Sequence, residues 1–142
     1  MSKDALDHIE LMPFTISQID LPRRPRFILL NGDRVYTAVR KTLYVYLIRE
    51  PTDPIATYSL EDRWYLPLFV ENRFYLCSGD NLLVFEVTPS LTCPLIEISE
   101  IKIKDYVKIM VRKGHELLLC GYDGWFQVFN MSSDTITHTH TL

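Results

Sequence analysis

The sequence predicts an all-β fold of repeated antiparallel units, and three observations carry that prediction. First, one phrase is written three times, as RVYTAVRKTLYVYLI at 34–48, RFYLCSGDNLLVFEV at 73–87 and ELLLCGYDGWFQVFN at 116–130, about 40 residues apart. Second, each copy is an apolar run, a short polar turn and another apolar run. Ala38, Cys77 and Cys120 fall at one equivalent position, and Tyr46, Phe85 and Phe129 at another. Third, the runs are rich in Val, Ile, Leu, Tyr and Phe, are punctuated by Gly and Pro, and show no 3.6-residue period. A fixed period with two strands per visible unit predicts the blades of a β-propeller.

The elements follow in order. Phe14–Leu21 reads as a first strand, closed by Pro22-Arg23-Arg24-Pro25. Arg26–Leu30, Val35–Val39, Leu43–Ile48 and Ile55–Leu60 make the next four, with a turn at Asn31-Gly32-Asp33 and a break from Pro51 to Pro54. Trp64–Val70, Phe74–Cys77, Leu82–Val87 and Leu95–Ile101 follow, then Tyr106–Val111, Glu116–Cys120, Trp125–Asn130 and Thr135–Thr141. With the strands of a blade lettered a to d from the inside outward, the chain reads d, then a to d three times. The expected architecture is a partial propeller of antiparallel four-stranded blades, about three in number, with one extra N-terminal outer strand. Its limits are a tail at 1–13 and a domain at 14–142, with blades near 26–61, 64–101 and 106–142. Continuous apolar runs suit strands covered on both faces by neighbouring blades.

The segment GYDGWFQVFN at 121–130 resembles the WD-repeat phrase, in which a turn Asp-Gly precedes a strand ending Val-Trp-Asp. Asp123 and Gly124 match the turn and Val128 the Val, while Phe129 and Asn130 replace the Trp and Asp. Asp80 falls at the same turn of the second repeat, and Arg40-Lys41 depart from it in the first. The Gly-His dipeptide of the WD family is replaced by Glu61-Asp62-Arg63 and by Lys102–Asp105, so the family's Asp–His network has no histidine. The resemblance implies a divergent WD-like propeller.

Composition bounds the function. The chain has 142 residues, 47% hydrophobic and 12% aromatic, with a net charge of −3, which is globular and too mildly charged to imply nucleic acid. Charge is uneven: residues 21–50 carry seven Lys/Arg against two acids, and residues 51–142 carry seven against twelve. No apolar run reaches the roughly 18 residues of a membrane helix, and MSKDALDHIE holds no signal core. A cytoplasmic protein with no membrane partner is expected. Three cysteines without a C-x-x-C spacing predict neither disulfides nor zinc.

Closed propellers have roughly four to eight blades, so three leave apolar faces open. The chain is expected to be a piece of a longer propeller, one half of a homodimeric six-bladed ring, or completed by a partner that supplies further blades. The end on a bare outer strand favours the first expectation, and the starting Met with a plausible leader opposes it.

In a blade, the d–a and b–c loops share one rim. That rim collects Arg23, Arg24, Arg26, Arg40 and Lys41 from the first blade, and Trp64, Tyr106, Tyr122 and Trp125 from the others. Arg, Tyr and Trp are enriched at binding hot spots, so these nine residues form the expected partner-binding surface. Each Trp also begins a strand, and packing between blades is its alternative role. Arg23, Arg24 and Arg26 suit a phosphate or an acidic peptide. Without a wider basic face they are a weak nucleic-acid signal.

His138 and His140 lie two apart on one strand with no third metal ligand in spacing. No nucleophile elbow, P-loop or dinucleotide fingerprint occurs. Glu97 and Glu100 are expected on opposite faces of an outer strand, unsuited to paired acid–base work. The inner strands RFILL, WYLPLFV and YVKIM are mostly apolar, against a polar channel site. The expected function is therefore a non-catalytic protein-interaction scaffold with no cofactor or metal. The alternative is a fragment or subunit of a hydrolase or quinone-dependent propeller enzyme whose site lies in missing blades.

Overall fold

A computed structural model of the chain describes residue 21 and residues 24–61, 65–131 and 137–141, the last as backbone. The expected first strand, Phe14–Leu21, and the 1–13 tail lie outside the described residues, apart from Leu21 itself.

Among the described residues twelve strands form three antiparallel four-stranded sheets, each in sequence order. The first blade holds β1 (Phe27–Asn31), β2 (Arg34–Val39), β3 (Thr42–Leu47) and β4 (Ala56–Ser59). The second holds β5 (Tyr65–Val70), β6 (Arg73–Ser78), β7 (Asn81–Val87) and β8 (Leu95–Lys102). The third holds β9 (Val107–Lys113), β10 (Glu116–Gly121), β11 (Phe126–Asn130) and β12 (Thr137–Thr141). β5 packs against both β1 and β9, which makes these three the inner edge of the stack. Pro67 lies within β5, where an edge strand tolerates its missing N–H.

Period-2 alternation sends successive side chains of each blade to its two faces, one toward the following blade (leading) and one toward the preceding blade (trailing). Between the first two blades, Tyr36, Ala38, Leu43 and Val45 meet Phe74, Leu76, Leu83 and Phe85, all buried in one cluster. Its aromatic rings are close: Tyr36 meets Phe69 edge-on at 4.8 Å, and Phe69 stacks on Phe74 at 4.6 Å. Between the second and third blades, Tyr75, Cys77, Leu82 and Val84 meet Leu117, Leu119 and Phe129 in a second buried cluster. Repeat equivalence is therefore physical: residues at the same place in the phrase fill the same place in successive interfaces.

Hydrogen bonds tie the blades as well. The buried Arg34 guanidinium in β2 donates to the carbonyls of Thr88 and Ser90, at 2.6 and 3.2 Å, in the β7–β8 loop. Tyr58 in β4 donates to the Leu95 carbonyl and accepts from its N–H, both at 3.0 Å. At the opposite end of the blade, the Tyr65 hydroxyl donates to the Arg40 carbonyl at 2.5 Å.

Hairpin loops need a residue at positive φ, which glycine adopts most readily. The inner hairpins place Gly32, Glu71 and Gly114 there, at φ 64°, 55° and 59°. The next hairpins of the first two blades place Arg40 and Gly79 there, at 53° and 59°. Glu71 and Arg40 are the two non-glycine residues so held among those described.

Candidate partner-binding rim

The d–a and b–c loops gather at one rim, built from the blade ends upward. Arg26 N–H donates to the Ala38 carbonyl at 2.8 Å, which brings the segment entering β1 beside the β2–β3 turn. Leu60 N–H donates to the Lys41 carbonyl at 2.7 Å and adds the exit of β4 to the same corner. Arg24, Arg26, Arg40 and Lys41 are all exposed there. In the third blade, Tyr106 is 44% and Tyr122 55% exposed, with the Lys108 ammonium 6.0 Å from the Tyr122 ring centre. Arg23 and Trp64 lie outside the described residues.

Trp125 is a correction to the expected rim. Its indole is buried between the second and third blades beside Leu117, Leu119 and Phe129, and it presents no ring to the rim surface. The cause is local. Trp125 shares the trailing face with Gln127 and Phe129, and Gly121 opposite it has no side chain to hold the ring out.

Asp80, at the turn position of the WD phrase, pairs with Lys102 at the end of the outer strand of its own blade.

Two clefts between blades have no signal in the sequence. One, of about 120 Å³, opens on the rim between the first two blades and is lined by Glu61, Glu97 and Glu100 with Ser59, Ser78 and Asn81. Glu97 and Glu100 thus share a cleft, against the expectation of opposite faces. The register jumps from Val84↔Ser99 to Phe85↔Glu97, leaving Ile98 as an unpaired bulge that resets the alternation. Burial, then the neighbouring Glu100 and Glu61 charges, raise the Glu97 pKa above its ordinary value. The second cleft, of about 380 Å³, lies on the other rim between the second and third blades. Its lining carries both signs of charge. Glu71 lies 3.7 Å from Arg112, and Arg73 is directly opposite Glu86. Among the described residues no group of metal-ligating side chains occurs and no helix is long and apolar enough to cross a membrane.

Three stacked antiparallel blades with this phrase and rim define a WD-like partial β-propeller. Comparison with solved structures shows the same fold. The chain is similar to a propeller in a complex of S. cerevisiae Dbp5, Nup159, Gle1, IP6 and ADP, with a TM-score of 0.62 and 17% identity over 94% of this chain. It is similar to the N-terminal domain of Nup159 (TM-score 0.61, 16% identity, 94% of this chain). It is similar also to the WD40 domain of SCAP from fission yeast (0.60, 12%, 86%). The chain spans 34% of each of these structures' chains. No family model and no curated protein matches the sequence.

Proposed function

We propose that this chain is a non-catalytic, cytoplasmic interaction module that binds partner proteins through the d–a/b–c rim. One observation carries the reading: the six described rim candidates that remain, Arg24, Arg26, Arg40, Lys41, Tyr106 and Tyr122, are all exposed on blade ends fixed by inter-blade packing. Loops held by rigid blades lose little freedom on binding, and Arg and Tyr are frequent hot-spot residues. Propellers of this fold occur in protein complexes, among them one of the fission yeast SREBP–SCAP binding domains, which supports a protein as the partner. Affinity capture tests it, comparing wild type with Arg24→Ala/Arg26→Ala/Arg40→Ala/Lys41→Ala and with Tyr106→Ala/Tyr122→Ala. The expected result is loss of partners that wild type retains. An unchanged partner set in both variants sinks the assignment.

A second reading concerns completion of the ring, by a second copy or by a partner's blades. On the leading face of the third blade, Leu118, Cys120, Phe126 and Val128 occupy the repeat positions of Tyr75, Cys77, Leu82 and Val84. The latter four are at most 1% exposed, whereas the former are partly exposed beside Ile109 and Val111 at 47% and 46%. The face has the composition of a blade interface. Light scattering on the purified chain tests the homodimer: a discrete dimer in which Cys120 resists thiol labelling is expected of a six-bladed ring. A monomer that labels at Cys120 excludes the second copy as occupant.

A further inference from the structure

We infer that the Arg40 corner of the first blade is a docking site for a short acidic peptide segment. The inference rests on the rim reading above and names the chemistry of its ligand. It is drawn from a contrast between the two strained turns.

Glu71 and Arg40 both hold a positive φ at positions where sibling repeats place glycine. Such a residue persists only where its surroundings hold it. For Arg40 the hold is visible: Tyr65, itself buried, donates from the next blade to the Arg40 carbonyl, and Leu60 N–H caps the Lys41 carbonyl. The charge of Glu71 is used inside the chain, since Arg112 lies 3.7 Å away. Among the described residues no acidic partner takes up the charge of Arg40. The ion pairs among those residues are Lys102 with Asp80 and Arg112 with Glu71, and Arg24, Arg26, Arg40 and Lys41 enter neither. A glycine would relax the turn, yet an exposed guanidinium stands there with three more cations at the same corner. Breaking a local conformational rule without an internal gain marks a functional position.

The surroundings select the ligand class. Guanidinium groups pair carboxylates through two parallel hydrogen bonds. The basic corner is small, and at its edge begins the acidic cleft of Glu61, Glu97 and Glu100. A nucleic-acid strand or an anionic membrane extends past four cations and runs onto those carboxylates. A few successive Asp or Glu side chains do not.

The test is fluorescence anisotropy on the full chain with a labelled twelve-residue peptide that carries a few successive Asp/Glu residues between neutral Gly/Ser flanks. A single-stranded oligonucleotide of equal length and phosphatidylserine vesicles serve as separate arms. Peptide binding that weakens with salt is expected. Arg40→Gly and Arg24→Ala/Arg26→Ala each weaken it, by about two- to fivefold per arginine, the range of an exposed ion pair. Arg40→Gly also raises the melting midpoint by about 2–4 °C, because it relieves the turn, so its lost affinity cannot come from misfolding. Equal peptide affinity of Arg40→Gly and wild type overturns the inference, as does preference for the oligonucleotide or the vesicles, or binding of none of the three. If the inference fails while Tyr106→Ala/Tyr122→Ala still abolishes partner capture, the wider rim reading stands without it.

Discussion

Gly121→Ala should destabilise the chain although the backbone there is in no unusual region. In an open strand site, replacing Gly by Ala stabilises by roughly 0.5–1 kcal/mol. At Gly121 a methyl group would overlap the indole of Trp125 at Cε2, Nε1 and Cζ2. The ring is 4% exposed and wedged among Leu117, Leu119 and Phe129, with the loop closed by Gly121 N–H donating to the Trp125 carbonyl at 2.9 Å. Two responses bracket the cost. If neighbours shift to keep the ring inside, overpacking costs about 1–3 kcal/mol. If the ring is expelled, about 150–250 Å² is lost from the interior, or about 4–6 kcal/mol at 25 cal/mol/Å². The cheaper response wins, so the expected loss is about 2–3 kcal/mol, read by urea unfolding followed by circular dichroism. A double-mutant cycle isolates the cause. Among the described residues Trp125 Nε1 has no hydrogen-bond partner, so Trp125→Leu orphans none of their groups. In that background Gly121→Ala should cost less than about 0.5 kcal/mol. An equal cost in both backgrounds refutes the reasoning.

Three further predictions concern the buried groups and the acidic cleft. Arg34→Ala removes a buried guanidinium and its two carbonyl bonds between blades, and should cost about 2 kcal/mol in denaturant unfolding. Burial pushes the Cys77 thiol up to about 12, so an aromatic disulfide reagent at pH 8 should label exposed Cys93 at once and Cys77 only on unfolding. Because the folded pKa of Glu97 is raised, its ionisation weighs against the fold as pH climbs through the carboxylate range. Glu97→Gln should therefore stabilise slightly at neutral pH, by no more than about 0.5 kcal/mol at this exposed site, and the gain should vanish below about pH 4.

The blades were legible because their strands are apolar runs cut by turn residues, both local properties of the chain. Tyr65–Val70 covers the described part of the strand expected at Trp64–Val70, and Ala56–Ser59 is one residue shorter at each end than the expected Ile55–Leu60. The rim was legible to the extent that loop membership follows from strand order, which places Arg24, Arg26, Arg40, Lys41, Tyr106 and Tyr122 on it. What the sequence hid depends on neighbours in space. Ile98 reads as an ordinary strand residue, yet its bulge turns Glu100 into the cleft of Glu97. Trp125 has the composition of a hot spot, and only the bare Gly121 opposite it draws the ring inward. The strain at Arg40 and Glu71 did leave a signal: aligning the repeats sets Gly79 against Arg40, and Gly32 and Gly114 against Glu71.

The rim assignment is tested most directly by lysine cross-linking and mass spectrometry on the chain bound to a captured partner. Lys41, Lys104 and Lys108 lie at or beside the proposed rim, and Lys113 at the hairpin end of β9 on the opposite one. Partner cross-links concentrated on Lys41, Lys104 and Lys108 are the predicted result. Cross-links concentrated on Lys113, with those three unmodified by partner, would contradict it and move the binding surface to the other side of the blades.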